Sequence, residues 1–241
     1  MTPIMEALSH DVRFALRTMR RNPGFTAAAV LSLALGIGAN TTIFTLINAT
    51  LLAPIPVERA SELVVAYATD PVGSFGGLGG LLPMSHPNFE DFRQQNEYLL
   101  DMAAYSPTPI SLITTGEPQP GIAELVTGNY FTVLGVKPAF GRFFLPEEDT
   151  TPGGNPVVVL SYGSWQRRFG GDRSAVGRTV SVNGTPFTVI GVAPEGFNGV
   201  NSLLSPDLWA PSMMYAKVLP AEMRAWMDER RALLFFAAAR C

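Results

Sequence analysis

Residues 25–53 read FTAAAVLSLALGIGANTTIFTLINATLLA, at the centre of a charge-free stretch that runs from Asn22 to Val57 between Arg21 and Glu58. A helix of about 20 mostly apolar residues crosses about 30 Å of hydrocarbon, so this segment has length to spare. Its polar members (Ser32, Asn40, Thr41, Thr42 and Asn48) gather in the second half, which puts the lipid-embedded part near 26–47. A cleavable signal peptide has an apolar region of about 7–15 residues followed by small residues at a cleavage site. Here the run is longer, starts after 24 residues and ends at Pro54-Ile55-Pro56 with no A-x-A pattern. A core helix rarely runs so far without a charge. Residues 25–53 are therefore expected to form a transmembrane helix.

That segment accounts for the unusual composition. The chain has 241 residues, 47% of them hydrophobic and only 15% charged, with a mean hydropathy of +0.20; an average domain has about a quarter of its residues charged. Disorder requires low hydrophobicity and high net charge, and the net charge here is −3. One cysteine, Cys241, excludes a disulfide scaffold. A pI near 5.4 argues against nucleic acid as a partner.

The flanks give an orientation. Residues 1–24 hold Arg13, Arg17, Arg20 and Arg21 against Glu6 and Asp11, a balance of +2, and the remainder holds 13 basic and 18 acidic residues. Basic residues beside a first span keep that side cytoplasmic, so the N-terminus is expected inside and residues after about 53 outside, at the inner (plasma) membrane. Met5, Leu8, Val12, Leu16 and Met19 recur at helical spacing, with Arg13, Arg17 and Arg20 on another face. Residues 1–24 thus read as a cytoplasmic amphipathic helix, either lying on anionic headgroups with lipid as partner or docking on another subunit. Pro23-Gly24 should break it before the span.

Beyond Pro56 the pattern is mixed α+β. Leu63–Tyr67 is a β-type run, and GSFGGLGG (73–80) is a loop lacking the lysine of a phosphate-binding loop. Ser85 caps an expected helix to about residue 103, with Phe89, Phe92, Leu99, Leu100 and Ala103 as its apolar stripe. Strands are expected at 110–114, 122–126 and 156–160, and short helices at 129–134, stopped by Gly135, and 161–169, stopped by Gly170-Gly171. Thr179–Val192 carries Asn183-Gly184 between alternating apolar runs, the strongest short hairpin signal. A helix over 220–231 and a strand, or the start of something longer, within ALLFFAAA (232–239) complete the reading.

No catalytic constellation emerges. His10 and His86 fall on opposite sides of the expected membrane, and neither H-E-x-x-H nor Cys-x-x-Cys occurs. Ser161, in LSYGS, lacks the G-x-S-x-G frame of a nucleophile elbow. Glu147-Glu148-Asp149 could bind a hard cation, but without alternating ligand spacing it reads as a solvated loop. No catalytic, cofactor-binding or metal-binding residue is assigned, no cofactor is expected, and the chain is read as no enzyme.

The string 11–56 resembles the start of MacB/FtsX-like ABC transporter permeases, nearest the duplicated orphan-permease subgroup of acidobacterial genomes. The match is carried by Arg17 to Phe25 (R-x-x-R-R-N-P-G-F), Leu33 to Asn40 (LALGIGAN) and the exit from Leu51-Leu52 to Pro56. Downstream it continues through SHPNFEDFR (85–93), the string 128–144, PVVVLSYGSWQRRFGGD (156–172) and VGRTVSVNGTPFTVIGVAPEGF (176–197). The exit departs from the family's Arg-Pro-Leu-Pro, with Ala53-Pro54-Ile55-Pro56 in its place, and ERRALLFFAAARC (229–241) is looser. The resemblance implies an α+β fold with one N-terminal transmembrane helix and a two-lobed extracytoplasmic domain: an α+β lobe from 54–120 and 206–241, with a β-rich lobe, 121–205, inserted. It implies a non-catalytic permease, or an N-terminal fragment of one, paired with a separate ABC-type ATPase on the cytoplasmic side. A homodimer or pseudo-dimer would couple that ATPase to extracytoplasmic change or export. The chain has no Walker A motif, so hydrolysis would belong to the partner. A stand-alone single-span binding module and a membrane-anchored enzyme are the alternatives.

Overall fold

A computed structural model describes residues 17, 19–47, 57, 59–69, 81–200 and 205–240. Most of the expected amphipathic helix, the glycine-rich loop 73–80, the exit 53–56, His10 and Cys241 lie outside the described residues. The chain divides into two compact units, 1–53 and 54–241.

In the first unit, helix α1 spans Pro23–Ile47. Arg17 and Met19–Arg21 are helical, Asn22 interrupts, and Pro23 opens α1. Proline at a first helical position loses no helical bond, so the expected break is a single residue wide. Thr26 Oγ1 spans it, donating to the carbonyls of Met19 (2.9 Å) and Asn22 (3.0 Å). At about 1.5 Å per residue, 25 residues exceed the hydrocarbon thickness. The hydroxyls of Ser32, Thr41 and Thr42 each donate to the carbonyl four residues back, at 2.8–2.9 Å. A polar group that bonds its own helix needs no water, which suits a helix whose apolar side chains face outward.

The second unit is organised on one long strand. Its strands are β1 (Leu63–Ala66), β2 (Ala68–Thr69), β3 (Leu81–Leu82), β4 (Asp101–Ile113), β5 (Gln119–Val126), β6 (Phe140–Gly141), β7 (Val157–Leu160), β8 (Thr179–Val182), β9 (Thr185–Val192), β10 (Leu208–Pro211) and β11 (Phe236–Arg240). Six of them close a ring in the order β4-β5-β10-β7-β9-β8 and back to β4. The pairings β5–β10 and β7–β9 are parallel and the other four antiparallel. Closure sets the side-chain pattern, since alternate residues of each strand point inward. Ile110, Leu112, Ala123, Leu125, Val158, Leu160, Val180, Val182, Phe187, Val189, Leu208 and Ala210 form one buried cluster. A bulge in β9 places Ile190 opposite no residue of β7: Val158 pairs Val189 and Val159 pairs Gly191. The extra residue sends Ile190 outward and returns Val192 to the interior cluster.

The first five residues of β4 do something else. They pair with β11, which pairs in turn with β1, so the sheet extends beyond the barrel wall. Its one face is covered by helix α2 (His86–Gln95) through Phe89 and by Met227, over Met102, Ala104, Ala237 and Ala239. On the other face helix α3 (Tyr130–Leu134) sits over Tyr105, Val126, Trp209 and Ala238. Ser161 caps helix α4 (Tyr162–Phe169), whose Trp165 packs on the barrel core. Short helices α5 (Tyr215–Val218) and α6 (Ala221–Arg224) follow β10.

Several expectations change here. Helix α2 ends at Gln95 rather than near 103, because Asn96 Oδ1 accepts from the amides of Tyr98 and Leu99 in a local turn. Leu99, Leu100 and Ala103 are thus no helical stripe; Ala103 is in β4, which starts nine residues before the strand expected at 110. The helix expected over 220–231 is α6 followed by a 3-10 turn, Ala225–Asp228, that carries Met227 into the core at 2% exposure. The apolar end of the chain is the strand β11. At Asn183-Gly184 both residues have positive φ (49° and 80°), as a tight hairpin turn requires.

Candidate functional site

Three places serve to link the parts of the domain, and each is held by side chains. The first is a buried carboxylate. Glu124, on the outward face of β5, is 2% exposed. Its Oε2 accepts from Trp209 Nε1 of β10 at 2.6 Å and from the Tyr130 hydroxyl of α3 at 3.2 Å. The Tyr130 oxygen in turn accepts from the Val200 amide at 3.2 Å. Burial pushes the Glu124 carboxyl up to about 7, against the pull of the Trp209 and Tyr130 bonds. A β-carbon at Gly199 would stand 2.9 Å from Glu124 Oε2, so glycine is what lets the chain pass over the carboxylate.

The second holds α3 to β4. Asn129 Nδ2 donates to Asp101 Oδ2 and to the Met102 carbonyl, both at 2.8 Å, while its Oδ1 accepts from Thr127 Oγ1 at 2.8 Å. Thr127 Oγ1 accepts from the Ala104 amide. The third is where the described domain starts and finishes. Leu63 of β1 and Arg240 of β11 are register partners. Arg240 donates to Glu62 Oε2 at 3.0 Å and to the Val133 carbonyl at 2.9 Å, which ties this end of the sheet to α3.

The residues tested for chemistry have structural duties. Ser161 Oγ caps α4 by accepting from the Ser164 amide. His86 packs its ring on Phe235, 5.7 Å between centroids. The acidic cluster is not a solvated loop: Glu148 clamps Arg142 with two bonds of 2.7 Å, and Asp149 accepts from the amides of Gly128 and Met213 and from the Ser212 hydroxyl. Burial raises the Asp149 carboxyl despite these donors. Among the described residues no group of three or more potential ligands could hold a metal. Glu124 was missed because a single charge within alternating apolar residues, IAELV, reads as a solvent-facing position; nothing local tells that α3 covers it.

The MacB-like periplasmic core domain model matches residues 26–238. The chain belongs to that family. Among solved structures, the periplasmic region of MacB from Actinobacillus actinomycetemcomitans is similar at 16% identity and TM-score 0.56, covering 75% of this chain and 74% of that one. The extracellular domain of the noncanonic ABC-type transporter YknZ from Gram-positive bacteria is similar at 14% identity and TM-score 0.52, covering 74% and 82%. No curated protein is similar enough to match. The chain thus joins an apolar helix long enough to cross a membrane to a MacB-like periplasmic core domain of the kind found in ABC transporter permeases. The structure also explains strings shared with MacB/FtsX-like permeases. In 128–144, Gly128, Asn129 and Tyr130 each anchor one of the contacts above. Gly141 and Gly191 lie where β6 crosses β9, and a β-carbon at Gly191 would run into the Arg142 carbonyl oxygen.

Proposed function

We infer that this MacB-like chain is the N-terminal part of a non-catalytic permease subunit that transmits work, rather than an enzyme. Its partner is an ABC-type ATPase on the cytoplasmic side, whose hydrolysis it couples to conformational change or export outside the membrane. The basic flank of α1 supports a cytoplasmic N-terminus with lipid around the span. On this reading 1–24 is a cytoplasmic helix and 25–53 the span, and 54–120 with 206–241 forms one lobe around an inserted lobe, 121–205. The two lobes share a continuous sheet, β4 and β10 coming from one and β7, β8 and β9 from the other.

One observation carries the reading. The strand that receives the chain after the span, β1, is paired through β11 to β4, and β4 is also a barrel stave. A displacement at Leu63 therefore passes along backbone hydrogen bonds to the barrel without crossing a loop. Two exposed valines on β1, Val64 and Val65, sit on the outermost strand of this sheet, which suits a homodimer or pseudo-dimer of permease subunits. Purifying the full chain from native membranes and identifying co-purified proteins by mass spectrometry tests the reading. An ABC-type ATPase should be recovered, with hydrolysis that falls when Val64→Pro breaks the β1–β11 ladder at its pair with Ala239. Recovery of no ATPase, or hydrolysis indifferent to that break, refutes it.

A further inference from the structure

Strand β4 has a break along one edge. Opposite β5 it is paired by β11 over Asp101–Tyr105 and by β8 at Leu112 and Ile113. Between these, residues 106–110 have no strand beside them on that edge among the described residues. Pro107 and Pro109 fall inside the break, where a missing N–H forfeits no ladder bond. A cavity of about 400 Å³ opens against it, walled by Pro83, Leu219, Met223, Met227, Leu234 and Phe235 among others. That volume falls in the range of small-molecule sites. Among the described residues that line it, none carries a charge.

Two hydroxyls line this apolar space. Ser106 and Thr108 both border the cavity and are 8% and 7% exposed. They are two residues apart on a strand and so share a face, between the barrel core that begins at Ile110 and the sheet core that ends at Ala104. Neither hydroxyl bonds to another described residue. Neither oxygen is sealed off inside the protein, so both remain accessible to what enters the cavity that their residues line. Met223 and Met227 add flexible, polarizable walls that adapt to varied apolar shapes.

We propose that this cavity binds an uncharged amphiphile: an apolar body against the Met, Leu and Pro walls, with one hydroxyl or carbonyl group hydrogen-bonded to Ser106 and Thr108. A charged head is excluded, since nothing in the lining would pair it and desolvating a lone charge is costly. The proposal does not depend on the coupling reading, and its test reads ligand contact rather than ATPase recovery.

The experiment uses the full chain in lipid nanodiscs and a diazirine-bearing decanol as photolabel, with adducts mapped by mass spectrometry. Adducts are expected on Met223, Met227 and the peptide around residues 106–109, as well as on the apolar helix α1. Excess 1-decanol should reduce cavity labelling, whereas decane and decanoate at pH 8 should not. The double variant S106A/T108A should lower cavity labelling by at least about fivefold, the effect of one hydrogen bond, while α1 labelling stays constant. Labelling confined to α1 overturns the proposal. So does equal competition by decane, which would make the space a mere apolar patch, or unchanged labelling of the double variant, which would leave the hydroxyls to water. Competition on the unaltered protein keeps the test decisive even if the double variant folds poorly.

Discussion

Replacing Glu124 by glutamine should remove a pH dependence from the stability of the domain. The carboxyl has an ordinary value of 4.5 and is pushed up to about 7 in the fold by burial. Between those values the folded domain holds a proton that the unfolded chain has released. Stability is therefore greatest below about pH 4.5 and falls as pH rises through 7, where the buried group must ionise. At about 1.4 kcal/mol for each tenfold change, the shift from 4.5 to about 7 amounts to roughly 3 kcal/mol. Glutamine cannot titrate, yet its carbonyl oxygen can still accept from Trp209 Nε1 and the Tyr130 hydroxyl. Urea unfolding of the full chain in nanodiscs, followed by tryptophan fluorescence from pH 5 to 8, measures this. The unaltered protein should lose roughly 2–3 kcal/mol across the range in excess of Glu124→Gln. Parallel curves for the two proteins would refute the reasoning, because the carboxyl would then titrate alike in both states.

Gly191→Ala places a β-carbon against the Arg142 carbonyl; it should cost about 1–3 kcal/mol and speed hydrogen exchange at the Ala139 and Arg142 amides, which bond to Val192 and Ile190. Asp149→Ala leaves the Gly128 and Met213 amides without their acceptor, and a loss of roughly 2–4 kcal/mol in chemical denaturation is expected, with Asp149→Asn recovering part of it.

What the sequence discloses and what it hides divide along the range of the interaction. The hairpin at Asn183-Gly184, the stop at Gly135 and the apolar helix are each decided within a few residues, and all three appear as expected. Strand β4 is different because both faces of its first half are buried, Met102 and Ala104 on one side and Ala103 and Tyr105 on the other. No alternation survives to mark such a strand, and Pro107 and Pro109 argue against one until the unpaired edge is known. Leu99 and Ala103 are four apart by coincidence, which is how a strand start came to look like a helix end. Barrel closure rests on Leu112 meeting Val182 and on parallel pairing of Leu208 with Ala123, neither of which leaves a local trace. Asp149 likewise looks solvated in a run of three acids until Met213, far along the chain, arrives to be bonded.

The order of the strands along the chain has a consequence in time. All six staves of the barrel lie between Asp101 and Pro211, so a chain made from its N-terminus has a complete barrel before β11 exists. Strand β1 is in the opposite position. It emerges first among the described strands, but among them its only neighbour in the sheet is β11. Until Phe236–Arg240 arrives, Val64 and Val65 belong to an unpaired apolar strand, the kind of edge that recruits other chains. The exposure of β1 to misassembly therefore outlasts barrel formation, and it ends only when β11 slides between β1 and β4.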